Sequence, residues 1–358
     1  YFHSDEGRDS VVEGFTITNG VACTGAAMMC TEGASPTIRN NILRGNIAEY
    51  DCDGGGGIAC RRNAAPLIEG NLIEGNLSMA GQGGGGIHCY EAGDVEIVGN
   101  IIAGNTAESP GGGIDIVDDG GLVLIANNLI AGNTSSRGGA ISCRGAGRAM
   151  VVNNTVVGNR ATERYALLGR TGGIDIDTGL VANCILWGNI DDKGFGEPAQ
   201  IRAAPHDVEV NYNCIRGWTG TLGGIGNMGE NPAFAVPGYW NHNQTPAEPN
   251  DDFWIMGDHH LKSQAGRWDP AAARWVLDTL TSPCIDAGDP LASIGYEVFP
   301  NGGIVNIGAY GATAEAAKSY FGRPPCKKIL AGDINGDCKV NFGDFCIMAL
   351  HWLEDTNP

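Results

Sequence analysis

Three periodic features of this sequence predict an all-β fold of the parallel β-helix type, a solenoid whose coils stack strand upon strand. The dipeptide Gly-Asn recurs at Gly45-Asn46, Gly75-Asn76, Gly104-Asn105, Gly132-Asn133, Gly158-Asn159 and Gly188-Asn189, with 30, 29, 28, 26 and 30 residues between successive asparagines. Midway between these turns a second signature recurs, apolar at its first and third positions: Ile58-Ala59-Cys60, Ile87-His88-Cys89, Ile114-Asp115-Ile116, Ile141-Ser142-Cys143 and Ile174-Asp175-Ile176. A further asparagine opens each aliphatic run, at Asn41, Asn71, Asn100, Asn128 and Asn154. One supersecondary signature per near-constant period marks a chain that folds by stacking equivalent units.

Each element has a physical reason. Runs such as Asn71-Leu72-Ile73-Glu74-Gly75-Asn76 read as a strand closed by a corner, because glycine and asparagine tolerate the positive φ that a corner needs. The glycine-led segment alternates with period two, the pattern of a half-buried strand. Two or three such strands per coil, stacked at about 4.8 Å, place like residues above one another. Asn41, Asn71, Asn100, Asn128 and Asn154 are therefore expected to form an internal amide ladder that satisfies buried corner groups.

The cysteines sort by the same ruler. Cys30, Cys60, Cys89 and Cys143 hold the third position of the glycine-led strand, where other coils carry Ile116 and Ile176, and so are expected as buried core thiols. Cys23 with Cys52, and Cys184 with Cys214, occupy equivalent places in adjacent coils, and these four are the better disulfide candidates. Bridges would indicate an extracellular or periplasmic site.

Composition narrows the classes of partner. The 358 residues include 57 glycines and only 7% aromatics, a loop-rich β composition whose periodicity argues against disorder. With 41 acidic against 22 basic residues the net charge is -19, which argues against nucleic acid and anionic membranes and is compatible with divalent cations or neutral glycans. No run of 18 apolar residues is present, so no membrane span is expected. Val12 to Asn19 already reads as the end of a coil, so the chain is expected to be a processed or truncated product.

Three regions follow. Residues 1–217 hold the coils. Residues 218–322 form an aromatic-rich insertion and closing coils, with Trp218, Trp240, Trp254, Trp268 and Trp275 serving as a cap on the open end or as a sugar-stacking platform. Residues 323–358 contain a calcium loop: Asp333, Asn335, Asp337, Asn341 and Asp344 fall at positions 1, 3, 5, 9 and 12, with the Lys339 carbonyl at position 7. Cys338 stands at the sixth position, where glycine is usual. A helix from Phe342 to Leu353 is expected to follow, with Phe345, Met348, Ala349 and Trp352 on one face.

This loop and helix resemble one half of a type I dockerin. The resemblance implies Ca2+ binding, while the single segment, where cohesin-binding dockerins carry two, argues against cohesin docking. The body resembles the right-handed parallel β-helix repeat proteins of the pectate-lyase-like superfamily. The stretch Ser282-Pro283-Cys284-Ile285-Asp286-Ala287-Gly288-Asp289-Pro290, followed by Asn306-Ile307-Gly308-Ala309-Tyr310-Gly311, is similar to that of secreted β-helix proteins common in planctomycete-type bacteria. These resemblances imply secretion or cell-surface display, and they leave activity open, since the fold hosts lyases, hydrolases, adhesins and structural proteins.

The middle residue of each glycine-led strand is expected to point outward, giving one face with Ala59, His88, Asp115, Ser142 and Asp175, flanked by Arg61, Tyr90, Val117, Arg144 and Asp177. Asp115 and Asp175, two coils and about 10 Å apart, come near the ~6.5–9.5 Å carboxyl separation of inverting glycosidases. A lyase would use His88 or Tyr90 as base, with Arg144 neutralising a uronate. The alternative is a solvated polar face without chemistry. His259 and His260, beside Asp258, lack a third ligand at metal spacing and read as polar strand residues. Three functions remain: a calcium-binding structural or adhesive surface protein that self-assembles into an oligomer or filament, a polysaccharide lyase or glycoside hydrolase, and a cohesin-docked component.

Overall fold

The computed structural model describes residues 1–358 except 51–52, 80, 82, 118–120, 146–147, 163–170, 246–250, 321–331, 336–338, 351 and 353–358. A full coil carries four short strands, as in Ile58–Arg61, Leu67–Glu69, Leu72–Glu74 and Leu77–Ser78. The fourth follows the Gly-Asn corner and is two residues long, too short for alternation to be legible. Each strand pairs in parallel with its counterparts in neighbouring coils, building sheets of seven, eight, eight and six strands. The glycine-led strands keep register without a slip, Ile58 over Ile87, Ile114, Ile141, Ile174 and Ile201.

The interior is a narrow aliphatic column. Ile38, Ile68, Ile97 and Ile125 stack from one wall, and Leu43, Ile73, Ile102 and Ile130 from another, all fully buried. Each such side chain contributes roughly 1.5–3 kcal/mol by leaving water. Cys30, Cys60, Cys89 and Cys143 lie in this column as buried free thiols, as expected from their position. Burial pushes the Cys30 thiol up to about 12.

Two amide ladders run along the corners. In the expected one, Nδ2 of Asn100 donates to Oδ1 of Asn128 at 3.0 Å, and the Asn100 backbone N–H donates to the same oxygen at 2.9 Å. That arrangement repeats from Asn41 through Asn71 to Asn154. The asparagines of the Gly-Asn corners form a second ladder, Asn46, Asn76, Asn105, Asn133, Asn159 and Asn189, which ends on Oε1 of Gln200 at 3.0 Å.

The first ladder corrects the pairing expected for Cys184 and Cys214. Cys184 takes a ladder position: its thiol accepts from the Asn154 N–H at 3.4 Å, and its own N–H donates to Oδ1 of Asn213 at 2.8 Å. Cys214 is one residue out of phase, in register with Ile185, so its side chain leaves the opposite face of the strand. Both are free and buried. Cys23 is disulfide-bonded, and Cys52, its expected partner, lies outside the described residues.

Residues 234–245 and 251–320 fold against the flank of the coils. Three antiparallel pairings shape this region: Phe234–Val236 with Asp258–Leu261, Tyr239–Asn241 with Phe253–Ile255, and Arg267–Asp269 with Arg274–Val276. Its apolar side chains, including Phe234, Leu261, Cys284, Ile285, Ile307 and Ala309, cover the outer faces of Leu129, Ala131, Val157, Ile185 and Cys214. The outward residues of this sheet explain the position. Arg44 and Glu74 in the early coils give way to Ala131 and Val157 in the later ones, an apolar strip that needs cover. Near the last coils, Trp218 and Leu222 pack against the main core.

His259 and His260 lie on the strand Asp258–Leu261, as expected, and both are buried there. His260 stacks on Tyr310 at 3.6 Å between ring centres, with Nδ1 2.6 Å from Oδ1 of Asp258 and Nε2 3.2 Å from Oε2 of Glu315. His259 meets the edge of Phe234, and burial lowers it to about 4. Glu297 accepts from the N–H groups of Asn306 at 2.7 Å and Ala312 at 3.0 Å through Oε1, Oε2 has no partner, and burial raises the carboxyl to about 7.

These two groups oppose each other in acid. Below pH 6.5, the ordinary histidine value, the unfolded chain protonates at His259 while the folded one resists to about 4, so stability falls as pH falls. Glu297 takes up its proton in the folded state from about 7, well before the unfolded chain does near 4.5, so stability rises as pH falls. Their slopes, about 1.4 kcal/mol per pH unit each, nearly cancel between 4.5 and 6.5. Urea unfolding from pH 7 to 4.5 is expected to be nearly flat for the native protein and to show a clear acid loss in Glu297→Gln. A flat profile in that variant as well would refute the balance.

Candidate functional site

The glycine-led row comes together as expected in sequence order, with His88 beside Asp115 and Ser142 beside Asp175 on successive strands. Its expected exposure to water is wrong: His88, Asp115, Ser142 and Asp175 are all 0% exposed. Before the strands that carry Ala59, His88, Asp115 and Ser142, a glycine arches back over the outward side chain. Gly111, at φ +73°, lies so close to Asp115 that an added Cβ would sit 2.5 Å from the aspartate Cβ, and Gly84 covers His88 in the same way.

Arginines close the row from the side. Asp115 receives Nη2 of Arg144 at 3.1 Å on both carboxylate oxygens and lies 3.2 Å from Nδ1 of His88. That last approach lacks the angle of a hydrogen bond, and neither His88 ring nitrogen has a hydrogen-bond partner. Burial pushes the Asp115 carboxyl up, but His88 and Arg144 outweigh it, so the group is held below the usual carboxylate range. Asp175 is gripped by Arg137 and by Arg202, whose Nε donates at 2.6 Å and whose Nη2 reaches Asp177 at 2.8 Å. Tyr90 stacks on His88 at 6.4 Å with Arg61 above it at 5.9 Å. This network neutralises buried charge and seals Asp115 and Asp175 from solvent, while the Asp177 side chain stays 37% exposed at its edge.

The loop at the C-terminal end has a defined brace. Asp344, on the helix Phe342–Leu350, accepts the N–H groups of Ile334 at 2.7 Å and Asn335 at 3.2 Å on Oδ1, and of Asn341 at 2.7 Å on Oδ2. These bonds, led by that of Asn341, hold its carboxyl below the ordinary range. Asp333 and Asp344 are both buried, while Asp337 lies outside the described residues. The oxygen-only donor set fits a hard cation. Among the described residues, no group of three or more His, Cys, Asp or Glu side chains gathers at metal-binding range.

The open concave surface lies elsewhere, beside the hairpin Tyr239–Asn241/Phe253–Ile255. Trp254 lies across Gly132 and Gly158, where any Cβ would collide with its indole, and Nε1 of Trp240 donates to the Gly158 carbonyl at 2.7 Å. Arg160 stacks on Trp240 at 3.6 Å and pairs with Asp252 at 2.5 Å. The corner glycines thus form a seat for the hairpin, a second use of the Gly-Asn period that sequence alone did not reveal.

A groove opens on each side of the hairpin. One, of about 500 Å³, runs along the corners Gly45, Gly75, Gly104 and Gly132 and is walled by Phe253 and Trp254, with Thr106, Thr134 and the Arg44–Glu74 pair along it. The other, of about 430 Å³, is lined by Trp187, Phe195, Tyr239 and Trp240, with Arg216 over Phe195 at 4.7 Å. The Trp254 indole N–H, at the boundary of both, has no acceptor. Flat rings beside hydroxyls and a few charged groups suit ligands with an apolar face and a polar rim.

Residues 2–159 match the family described as the right-handed beta helix region. No curated protein and no solved structure matches the chain. Among the described residues, no helix is long and apolar enough to cross a membrane.

Proposed function

We propose that this right-handed β-helix protein is an extracellular glycan-binding protein that takes a neutral polysaccharide in the grooves beside the Trp240–Trp254 hairpin. The observation that carries the reading is the pair of aromatic-walled grooves laid on a glycine-cleared flank. Sugar rings offer C–H faces to Trp and Phe and hydroxyls to Thr, Asp and Arg. The net charge of -19 disfavours a polyanionic chain. The Cys23 disulfide supports an oxidising compartment. A structural or adhesive role is favoured over hydrolysis or elimination because Asp115 and Asp175 are sealed and already neutralised by arginines.

Tyr239 and Phe253 are 58% and 46% exposed, so their removal should leave the fold intact. Calorimetric titration with soluble neutral polysaccharides is expected to show affinity falling about tenfold in Tyr239→Ala or Phe253→Ala. Equal affinity in both variants, or no binding to any polysaccharide, would remove the grooves as the site.

The loop from Asp333 to Asp344 would hold one Ca2+ in the same reading, docking a small module or bridging copies in an oligomer or filament. Calcium titration of the native protein against Asp344→Ala is expected to lose one equivalent of uptake. Unchanged uptake would refute the loop.

A further inference from the structure

The flank region that carries the groove walls meets the coils at a pair of thiols. Cys214 leaves the outer face of the last strand of its sheet, and Cys284 follows Ser282 in the segment laid over that face. The two residues are 70 apart in sequence, both are 0% exposed, and both belong to the cluster that joins flank to coils. The two side chains share that buried cluster, Cys284 is the neighbour that most perturbs the Cys214 thiol, and the Cys214 S–H donates to the Glu230 carbonyl at 3.1 Å. The neighbouring chain fixes both ends of the contact, because Oγ of Ser282 donates to the Pro232 carbonyl at 2.6 Å and so binds the Cys284 turn to the segment that receives Cys214.

We infer that Cys214 and Cys284 are the two halves of a disulfide that staples the groove-bearing flank to the solenoid. The oxidant is a small-molecule or protein disulfide. One thiolate attacks it to give a mixed disulfide and releases one thiol, and the second cysteine then displaces the other. Two protein thiols thus become one S–S bond while the oxidant is reduced to two thiols. The contact with Cys284, and then burial, push the Cys214 thiol strongly upward, so little thiolate is present once the flank has docked. The bond therefore forms while the flank is still loose, and after docking it is shielded from reductant. Cys184 stays outside any such bond, because its thiol is held in the amide ladder.

The test is to refold the full chain in a reduced and oxidised glutathione buffer, then denature, alkylate and map its peptides by mass. The expected result is a Cys214–Cys284 cross-linked peptide that disappears on reduction, with Cys184 alkylated. Cys214 and Cys284 both alkylated, or either bonded to another cysteine, overturns the inference. Protease cleavage of the native protein within the flank is expected to accelerate on the order of a hundredfold in Cys284→Ser. If that variant does not fold, the native peptide map decides alone. Glycan affinity is read separately, so loss of the cross-link and failure of the groove reading are distinguishable.

Discussion

Replacing Asn128 by Ala is expected to lower the unfolding free energy by about 3–5 kcal/mol, one of the largest single-site losses in the molecule. Its Nδ2 donates to the carbonyls of Ile97 at 2.8 Å and Ala126 at 2.9 Å and to Oδ1 of Asn154 at 3.0 Å. Its Oδ1 receives both the backbone and the side-chain N–H of Asn100. Alanine would strand several of these groups inside a column without water, each costing roughly 1–3 kcal/mol before relaxation. Denaturant unfolding followed by circular dichroism measures the loss, and Asn128→Cys should be milder because Cys184 already serves as a ladder member. A loss below about 1 kcal/mol for the alanine variant would mean that the ladder is not what holds the corners.

The second large effect is expected at Asp175, whose removal leaves Arg137 and Arg202 facing each other without their shared counter-charge. Breaking one partner of a buried pair costs about 3–5 kcal/mol, and because Arg202 is one-third exposed and can turn to water, about 2–4 kcal/mol is expected here. Asp177 remains as a partial partner for Arg202 at 2.8 Å. Asp175→Ala should therefore unfold at lower denaturant while glycan binding by the folded protein stays unchanged. A variant with native stability and lost glycan binding would return the row to the status of a functional site.

The row shows where sequence reasoning stops. Alternation places Asp115 and Asp175 on the side of the strand away from the aliphatic column, and that is where they are. Alternation does not say whether the space outside a strand is water. Here Gly111 occupies it at Asp115, where Arg144 completes the cover, and Arg137 and Arg202 close it at Asp175. The Cys184 and Cys214 pairing failed for a related reason. Their spacing equals one period, yet a one-residue offset in register sends the two side chains to opposite faces. The grooves left only a compositional trace, the run of tryptophans after Trp218, because their walls come from segments that are not neighbours in the chain.

The sequence by itself determined the coil: its length, its corner asparagines, its column of isoleucines and thiols, and the parallel stacking that these repeats impose. Those properties are local and recur, so each period testifies to the others. Tertiary structure alone decided that Asp115 and Asp175 are sealed, that Cys214 and Cys284 share one buried cluster, and that Trp254 rests on Gly132 and Gly158 with a groove on either side. These are single, non-repeating contacts between distant segments, determined by how surfaces pack once the coils exist.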